Sequence, residues 1–454
     1  MVMQTNLLGK LVDRGLTVAL ICPDKEDANL KDYCNRAGVK LCQFDRKSNF
    51  WSTQYSKTRM YFLENINKNT ALLEKYKYYT EINKPIRLKT KMKYFGFKAI
   101  HDLKEIFPFI KSWYKNREEK HLESGEADQF IKRLCPKILV ATYPVDFREA
   151  MLLTSGKKTG IKTVLHLLSW DNISCKGHFP ALADEYIAWG PIMENELKEY
   201  YNIDEAKIHT CGVPHFDLHI QTVGNPAAKV HLEGLGLNAQ QPYIFFGMSS
   251  PRFAPFEIDI VEHLADQVES GTYGKEMQLV IRPHPQNIQS GMADKSWLPR
   301  LDELDTMSKV AVDFPDLTTS KLQWSMQEKD MERLSQLLAG ASVSLNSGST
   351  LSIDSMMCDT PVVLTSFDGD NKLDYWKSAR RLTDYNHLSK LISYKGVPVA
   401  TNYKELQQRI EMFLSDPQSL SGARKMTIQQ ECLGTGQSTE RVVVTLEKIV
   451  LADV

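Results

Sequence analysis

The sequence predicts a doubly wound α/β protein of two domains, on three observations. Its 454 residues exceed what one hydrophobic core usually serves. Short apolar, β-rich runs alternate with helix-spaced segments, the grammar of parallel sheets covered by helices on both faces. Two of those runs, ending near Gly247 and Asn346, lead into Gly/Ser turns, the kind of strand-to-helix junction where open α/β sheets hold ligands.

Taken in order, residues 3–14 place Leu7, Leu8, Leu11 and Val12 at helical spacing, and residues 17–22 form a continuous β-rich run. A helix before the first strand is unusual for this plan, which normally opens on a strand with a Gly-rich loop. The expectation is that the first sheet lacks that element or that the chain starts downstream of it. Further strands are expected at 138–142, 162–167, 185–189, 208–211, 243–247, 278–281, 310–312, 343–345 and 361–364, with helices between them. Residues 222–241, with Gly224, Asn225, Pro226, Gly234 and Gly236, read as a connector. That division gives an N-terminal domain over 1–221, a C-terminal domain over 242–425, and a terminal helix over 426–454 that packs back on the first.

Composition narrows the class. Lysine plus arginine and aspartate plus glutamate are equal at 56 each, so no global field recruits nucleic acid. The eight cysteines stand singly, without the paired spacing of zinc or redox sites, which suggests a reducing cytoplasm and mostly buried thiols. No apolar run is long enough to span a bilayer and no signal-peptide pattern follows Met1. One stretch departs from this even background. In an insert at about 75–125, Lys84, Arg87, Lys89, Lys91, Lys93 and Lys98 arrive without an acid between them, interleaved with Leu88, Met92, Tyr94, Phe95 and Phe97. Such a segment suits an anionic membrane surface or a lipid-diphosphate acceptor; it also suits a solvated helix that buries its aromatic face.

The chemistry concentrates at predicted strand ends. Ser347, Gly348, Ser349 and Thr350 form a small-residue turn opening a helix, where backbone N–H groups and the helix dipole favour an anion. Asp354, on the same helix face, would stand within reach of a ribose. An ordinary βα turn capped by serine is the alternative. The run ending in Arg282-Pro283-His284-Pro285 holds its histidine rigidly between two prolines, and Arg282 beside it could add charge-assisted hydrogen bonds to phosphate. Ser249, after the strand at 243–247, repeats the Gly/Ser turn. Group transfer also needs a base for the acceptor hydroxyl. Asp171, in the polar loop after the strand at 162–167, is the first candidate, with His178 and Asp146 behind it. No His-x-x-x-His or Asp-x-Asp cluster stands on a strand end, so the expected chemistry is metal-independent, with no cofactor.

Four ordered segments resemble one superfamily. The Ser-Gly turn followed by Asp354 and a Pro-Val-Val strand resembles the donor-binding segment of GT-B glycosyltransferases, and aspartate at that place looks closer to CDP-glycerol glycerophosphotransferases and capsule enzymes. Leu279 to Pro285 is similar to their His-Pro motif, Cys211 to Asp217 to a Gly-x-Pro-x-x-Asp segment, and Gly434 to Arg441 to a C-terminal Gly-x-Ala-Ser-Glu-Arg helix. The resemblance implies two Rossmann-like domains facing a central cleft, a nucleotide-activated donor with cytidine favoured over uridine, and a glycan or lipid-linked acceptor at the cytoplasmic membrane face. It implies donor contacts from Arg282, His284, Ser347, Gly348, Ser349, Thr350, Asp354 and Ser249, and acceptor or membrane contacts from Lys89, Lys91 and Lys93. A non-hydrolysing UDP-sugar 2-epimerase is the alternative of the same shape, disfavoured because epimerases of that type carry paired acids where this chain has Asp354 alone. A catalytically silent glycan- or lipid-binding protein is the other.

Overall fold

A computed structural model describes residues 5–60, 62, 69–82, 87–224, 228–288, 295–317 and 328–452 of the chain. Lys84 and Ile86 of the basic insert lie outside the described residues, as do Asn225 and Pro226. The chain divides into two compact units, one of Met1–Pro214, Gln430–Leu433 and Gln437–Val454, the other of His215–Gln429 and Gly434–Gly436.

The first unit carries a two-stranded parallel sheet, β1 (Ala19–Cys22) and β2 (Lys40–Gln43), and a four-stranded parallel sheet in the order β3 (Ile138–Ala141), β4 (Lys162–His166), β5 (Glu185–Ala188) and β6 (Ile208–Thr210). Leu7 and Leu11 of the helix Leu7–Asp13, with Val442, Val443 and Leu446 of the helix Ser438–Ala452, bury against Val164 and Ile187 of the larger sheet. The basic insert folds as helices Thr70–Lys77, Leu88–Ile106 and Phe109–Leu122.

The second unit is one six-stranded parallel sheet. Its strands are β7 (Tyr243–Gly247), β8 (Gln278–Arg282), β9 (Val310–Val312), β10 (Val343–Asn346), β11 (Val362–Thr365) and β12 (Val399–Ala400), in the order β12-β11-β10-β7-β8-β9. The chain starts in the middle at β7, winds outward through β8 and β9, then returns to β10 and winds the other way. Every residue of β7, β8 and β10 is buried, as expected of strands covered on both faces. The winding reverses between β7 and β10, where Gly247 pairs with Asn346; crevices outside the strand ends at such a reversal are where open sheets bind ligands.

Two strands escaped the sequence reading for physical reasons. β2 has exposed ends at Lys40 and Gln43 and lacks a continuous apolar run, and β12 is only two residues long. The segment expected as a connector is instead built into the second unit. Helices Phe216–Thr222 and Ala228–Gly234 both pack against the helix Glu328–Gly340, burying Phe216, Ala228 and Leu232. The change of unit falls at Pro214. Six of the eight cysteines are buried, with Cys42 half-buried and Cys135 exposed. No described helix is long and apolar enough to cross a membrane.

Candidate functional site

The carboxyl ends of β7, β8, β10 and β11 in the second unit bring together most of the predicted donor residues. After β10 the chain turns through Ser347 and Gly348 into the helix Leu351–Met357. Gly348 adopts φ +99°, in the region that favours glycine, and a Cβ there would stand 2.7 Å from Leu388 Cδ1. The turn is internally braced: Asn346 Oδ1 accepts from the N–H groups of Gly348 (2.8 Å) and Ser349 (3.0 Å) and from Ser352 Oγ (3.1 Å). Those two N–H groups, expected to face an anion, are held by their own loop, and the helix is only 7 residues long. Asn346 Nδ2 is buried without a partner.

Ser347 points inward. Its Oγ bonds Glu257 Oε1 and lies 2.8 Å from Thr365 Oγ1 at the end of β11, while Glu257 Oε2 accepts from Ser249 N. Glu257 opens the helix Glu257–Glu269 and is almost fully buried. Burial pushes its carboxyl up to about 7, against the lowering effect of its bonds to Ser347 and Ser249. The sequence reading did not single it out, although an acid in the first turn of the helix after a Gly/Ser turn was visible.

His284 stands two residues beyond the end of β8. It caps the short helical turn Pro285–Asn287 by accepting Gln286 N–H on Nδ1 at 3.1 Å. The proton of the neutral ring therefore sits on Nε2, and burial lowers the pKa to about 4, so the ring is neutral at physiological pH. Arg282 does not fit its predicted role. Its guanidinium is buried, paired with Asp313 and with Asp330 (2.6 Å), and Arg333 closes the network on the same two carboxylates at 3.1 and 2.9 Å. It is committed to the fold rather than held out for a phosphate.

Asp354 is also engaged. It lies in the first turn of its helix, and its Oδ1 accepts from His219 Nε2 at 2.6 Å, with His215 Nε2 at 3.8 Å. Burial and His219 drive the His215 ring well below its ordinary pKa. One carboxylate oxygen expected for ribose therefore faces a histidine. Asp368, after β11, accepts from Ser378 Oγ and Ala379 N.

In the first unit, Asp146 is a helix N-cap, accepting from Arg148 N (2.8 Å) and Glu149 N (3.3 Å) and pairing with the Arg148 guanidinium. His178 is buried, stacked on Tyr201 at 5.1 Å, and driven well below its ordinary pKa by burial and surrounding lysines and Arg59. Burial removes His178 as a solvent-reachable base, whereas Asp146 stays 26% exposed while capping its helix and pairing with Arg148. Asp171, at the loop after β4, is half-buried, accepts from Ser169 Oγ at 2.5 Å and pairs with Lys176 at 3.1 Å. His166 is a buried core histidine, its pKa lowered to about 4 by burial. Lys89 and Lys91 are exposed, whereas Lys93 bonds Gln54 Oε1, lies 5.5 Å over the Phe97 ring, and has a pKa lowered by burial and by Lys57.

No protein-family model matches the sequence, and no curated protein does. Solved structures do. A proposed UDP-N-acetylglucosamine 2-epimerase from Listeria monocytogenes aligns over 98% of this chain and 91% of its own, at 12% identity and a TM-score of 0.53. A glycosyltransferase from Rickettsia africae aligns over 98% and 93%, at 11% identity and 0.50. A further UDP-N-acetylglucosamine 2-epimerase aligns over 98% and 92%, at 11% identity and 0.51. The chain has the GT-B fold. At these identities the likeness speaks for the fold, and chemistry must come from the residues. Within that fold, the β7/β10 strand ends of the second unit form the candidate site, carrying His284, Ser249, the Ser347–Thr350 turn and the unpredicted Glu257. Among the described residues no group of three or more His, Cys, Asp or Glu side chains could hold a metal ion.

Proposed function

We propose that the chain is a glycosyltransferase that moves a sugar, or a polyol phosphate, from a nucleotide-activated donor to a cell-surface glycan or lipid-linked acceptor, without a metal. The observation that carries this reading is His284: a neutral imidazole whose Nδ1 is already used, leaving Nε2–H as a rigidly placed donor beside the strand ends of a doubly wound sheet. A donor aimed at a phosphate oxygen is what departure of a nucleoside phosphate requires. Asn346 Nδ2, Ser250 Oγ and Asn287 Oδ1 are buried polar atoms near the same strand ends that lack partners, and they suit a polar ligand. A thermal-shift screen of CMP, CDP, UMP, UDP and GDP tests the reading, since a ligand at a hundred times its Kd stabilises the native state by about 2.7 kcal/mol. The preference for cytidine predicts CDP or CMP as the larger shift; no shift from any of the five contradicts the function.

Asp171 is the base of this proposal. Its pairing with Lys176 means that acceptor binding has to loosen that contact for the carboxylate to take a proton. Asp171→Asn is expected to lower kcat by about 10²-fold or more while donor affinity stays within a factor of two. Steady-state kinetics checks it, and near-normal kcat removes Asp171 from the chemistry.

The second reading, a UDP-sugar 2-epimerase, is favoured by the likeness to two structures described as UDP-N-acetylglucosamine 2-epimerases, one of them only a proposed assignment. Conversion of UDP-N-acetylglucosamine without any acceptor would select it. Loss of all turnover with retained nucleotide binding would select a silent binding protein.

The membrane part of the proposal rests on the helix Leu88–Ile106. It buries Tyr94, Phe97 and His101 on one side and exposes Leu88, Met92, Phe95, Leu103 and Ile106 on the other, flanked by exposed Lys89, Lys91 and Lys98. An exposed apolar stripe edged by Lys89 and Lys91, with Lys98 paired to Asp102, suits an anionic lipid surface and supports the reading of peripheral attachment at the cytoplasmic membrane face.

A further inference from the structure

Among the described residues, Glu257 is a buried acid at the reversal point of the second unit's sheet that ties the turn after β7 to the turn after β10. Its two carboxylate oxygens take different partners, Ser249 N from the turn after β7 and Ser347 Oγ from the turn after β10, and Ser347 continues to Thr365 at the end of β11. Three strand ends are thus joined through one side chain. Among the described residues no cation pairs with it. On its own helix Asp259 and Glu262 turn to Arg300; from β8 come Arg282, committed to Asp313 and Asp330, and the neutral His284. From the segment after β11 comes Asp368, bonded to Ser378 and Ala379, and from the 378–384 segment Arg381, which donates to the carbonyls of Phe253 and Arg252.

The polarity of the chain depends on one proton. With Glu257 ionised, Ser347 O–H donates inward to the carboxylate, and an unpaired buried negative charge stands behind both turns, poorly screened. With Glu257 protonated, its O–H donates to Ser347 Oγ, Ser347 O–H is turned toward Thr365, and the charge is gone. Only the second state suits an anionic ligand at these strand ends.

We propose that Glu257 is a positioning residue for the candidate site, and that binding of a diphosphate-containing ligand there is coupled to protonation of its carboxyl. The coupling rests on the donor-binding reading above; the positioning role does not. The carboxyl's pKa of about 7 in the folded chain, against an ordinary 4.5, places the transition in the physiological range.

Two measurements on the full chain test it. In urea unfolding, a carboxyl whose folded pKa is raised contributes stability that is fully present below about 4.5 and lost as pH rises to about 7. Relative to Glu257→Gln, which keeps the shape and both hydrogen-bond partners, the wild-type unfolding constant is expected to rise about sixtyfold more between pH 5 and 7.5. An identical pH dependence in the two proteins overturns the positioning role. In calorimetry, UDP-glucose and a CDP-polyol serve as probes because their own charge is constant between pH 6 and 8. Wild type is expected to bind up to about tenfold more weakly at pH 8 than at pH 6, with proton uptake seen across buffers of different ionisation enthalpy, and Glu257→Gln to bind alike at both. Binding without pH dependence overturns the coupling alone. Failure of both probes to bind at pH 6 overturns the coupling and the donor-binding reading together.

Discussion

Arg282→Ala is expected to lower the stability of the second unit by about 3–5 kcal/mol, because it leaves Asp313 and Asp330, both buried, with Arg333 as their remaining cation. Urea unfolding followed by a probe in the second unit reads the loss directly. His284→Ala supplies the contrast: its ring is half-buried and makes one local bond, so stability should fall by about 1 kcal/mol or less. The pair separates a residue that builds the strand end from one that faces a ligand. A stable Arg282→Ala protein that has lost only nucleotide affinity would restore the phosphate role that the sequence suggested.

The second large effect is expected at the membrane. Met92 and Phe95 are 65% and 54% exposed on the stripe of the helix Leu88–Ile106, so changing both to serine costs the fold little. Burying such side chains in lipid is worth about 1.5–3 kcal/mol each, and the double change should cut partitioning into anionic vesicles by about a hundredfold or more. Lys89 and Lys91 contribute about 1 kcal/mol each at the surface, an amount that fades as salt rises. Lys89→Gln with Lys91→Gln should therefore weaken flotation at low salt and matter little at high salt, and Lys93→Gln should matter little at either, since its amine is turned to Gln54. Vesicle flotation decides: no lipid-dependent, salt-sensitive flotation of the wild type, or flotation unchanged by the serine pair, returns this face to ordinary solvent exposure.

Much of the sheet was legible because its signal is local. β7, β8 and β10 are short apolar runs buried on every residue, and the turns after them announce themselves by Gly, Ser and Pro. His284 was legible for the same reason, its two flanking prolines fixing it whatever else surrounds it. What could not be read is where long-range partners fall. Glu257 meets Ser347 across 90 positions, His219 meets Asp354 across 135, and Arg282 meets Asp330 across 48. No periodicity encodes such pairings, so Arg282 and Asp354 looked free for a ligand and Glu257 looked like an ordinary first-turn acid. Asn346 was missed differently. It ends β10, directly before the predicted turn, yet a side chain that caps its own turn competes with a phosphate for the same N–H groups, and sequence alone does not say which wins.

The most direct test of a nucleotide site at the β7/β10 strand ends is calorimetric titration of the full chain with CDP and UDP, wild type against His284→Ala. Loss of a charge-assisted hydrogen bond, worth about 1.5–3 kcal/mol, predicts saturable binding weakened by about 10- to 100-fold in the variant, with its unfolding transition within about 1 kcal/mol of wild type. Equal affinity of the two proteins for the better-binding nucleotide would contradict the assignment of the site.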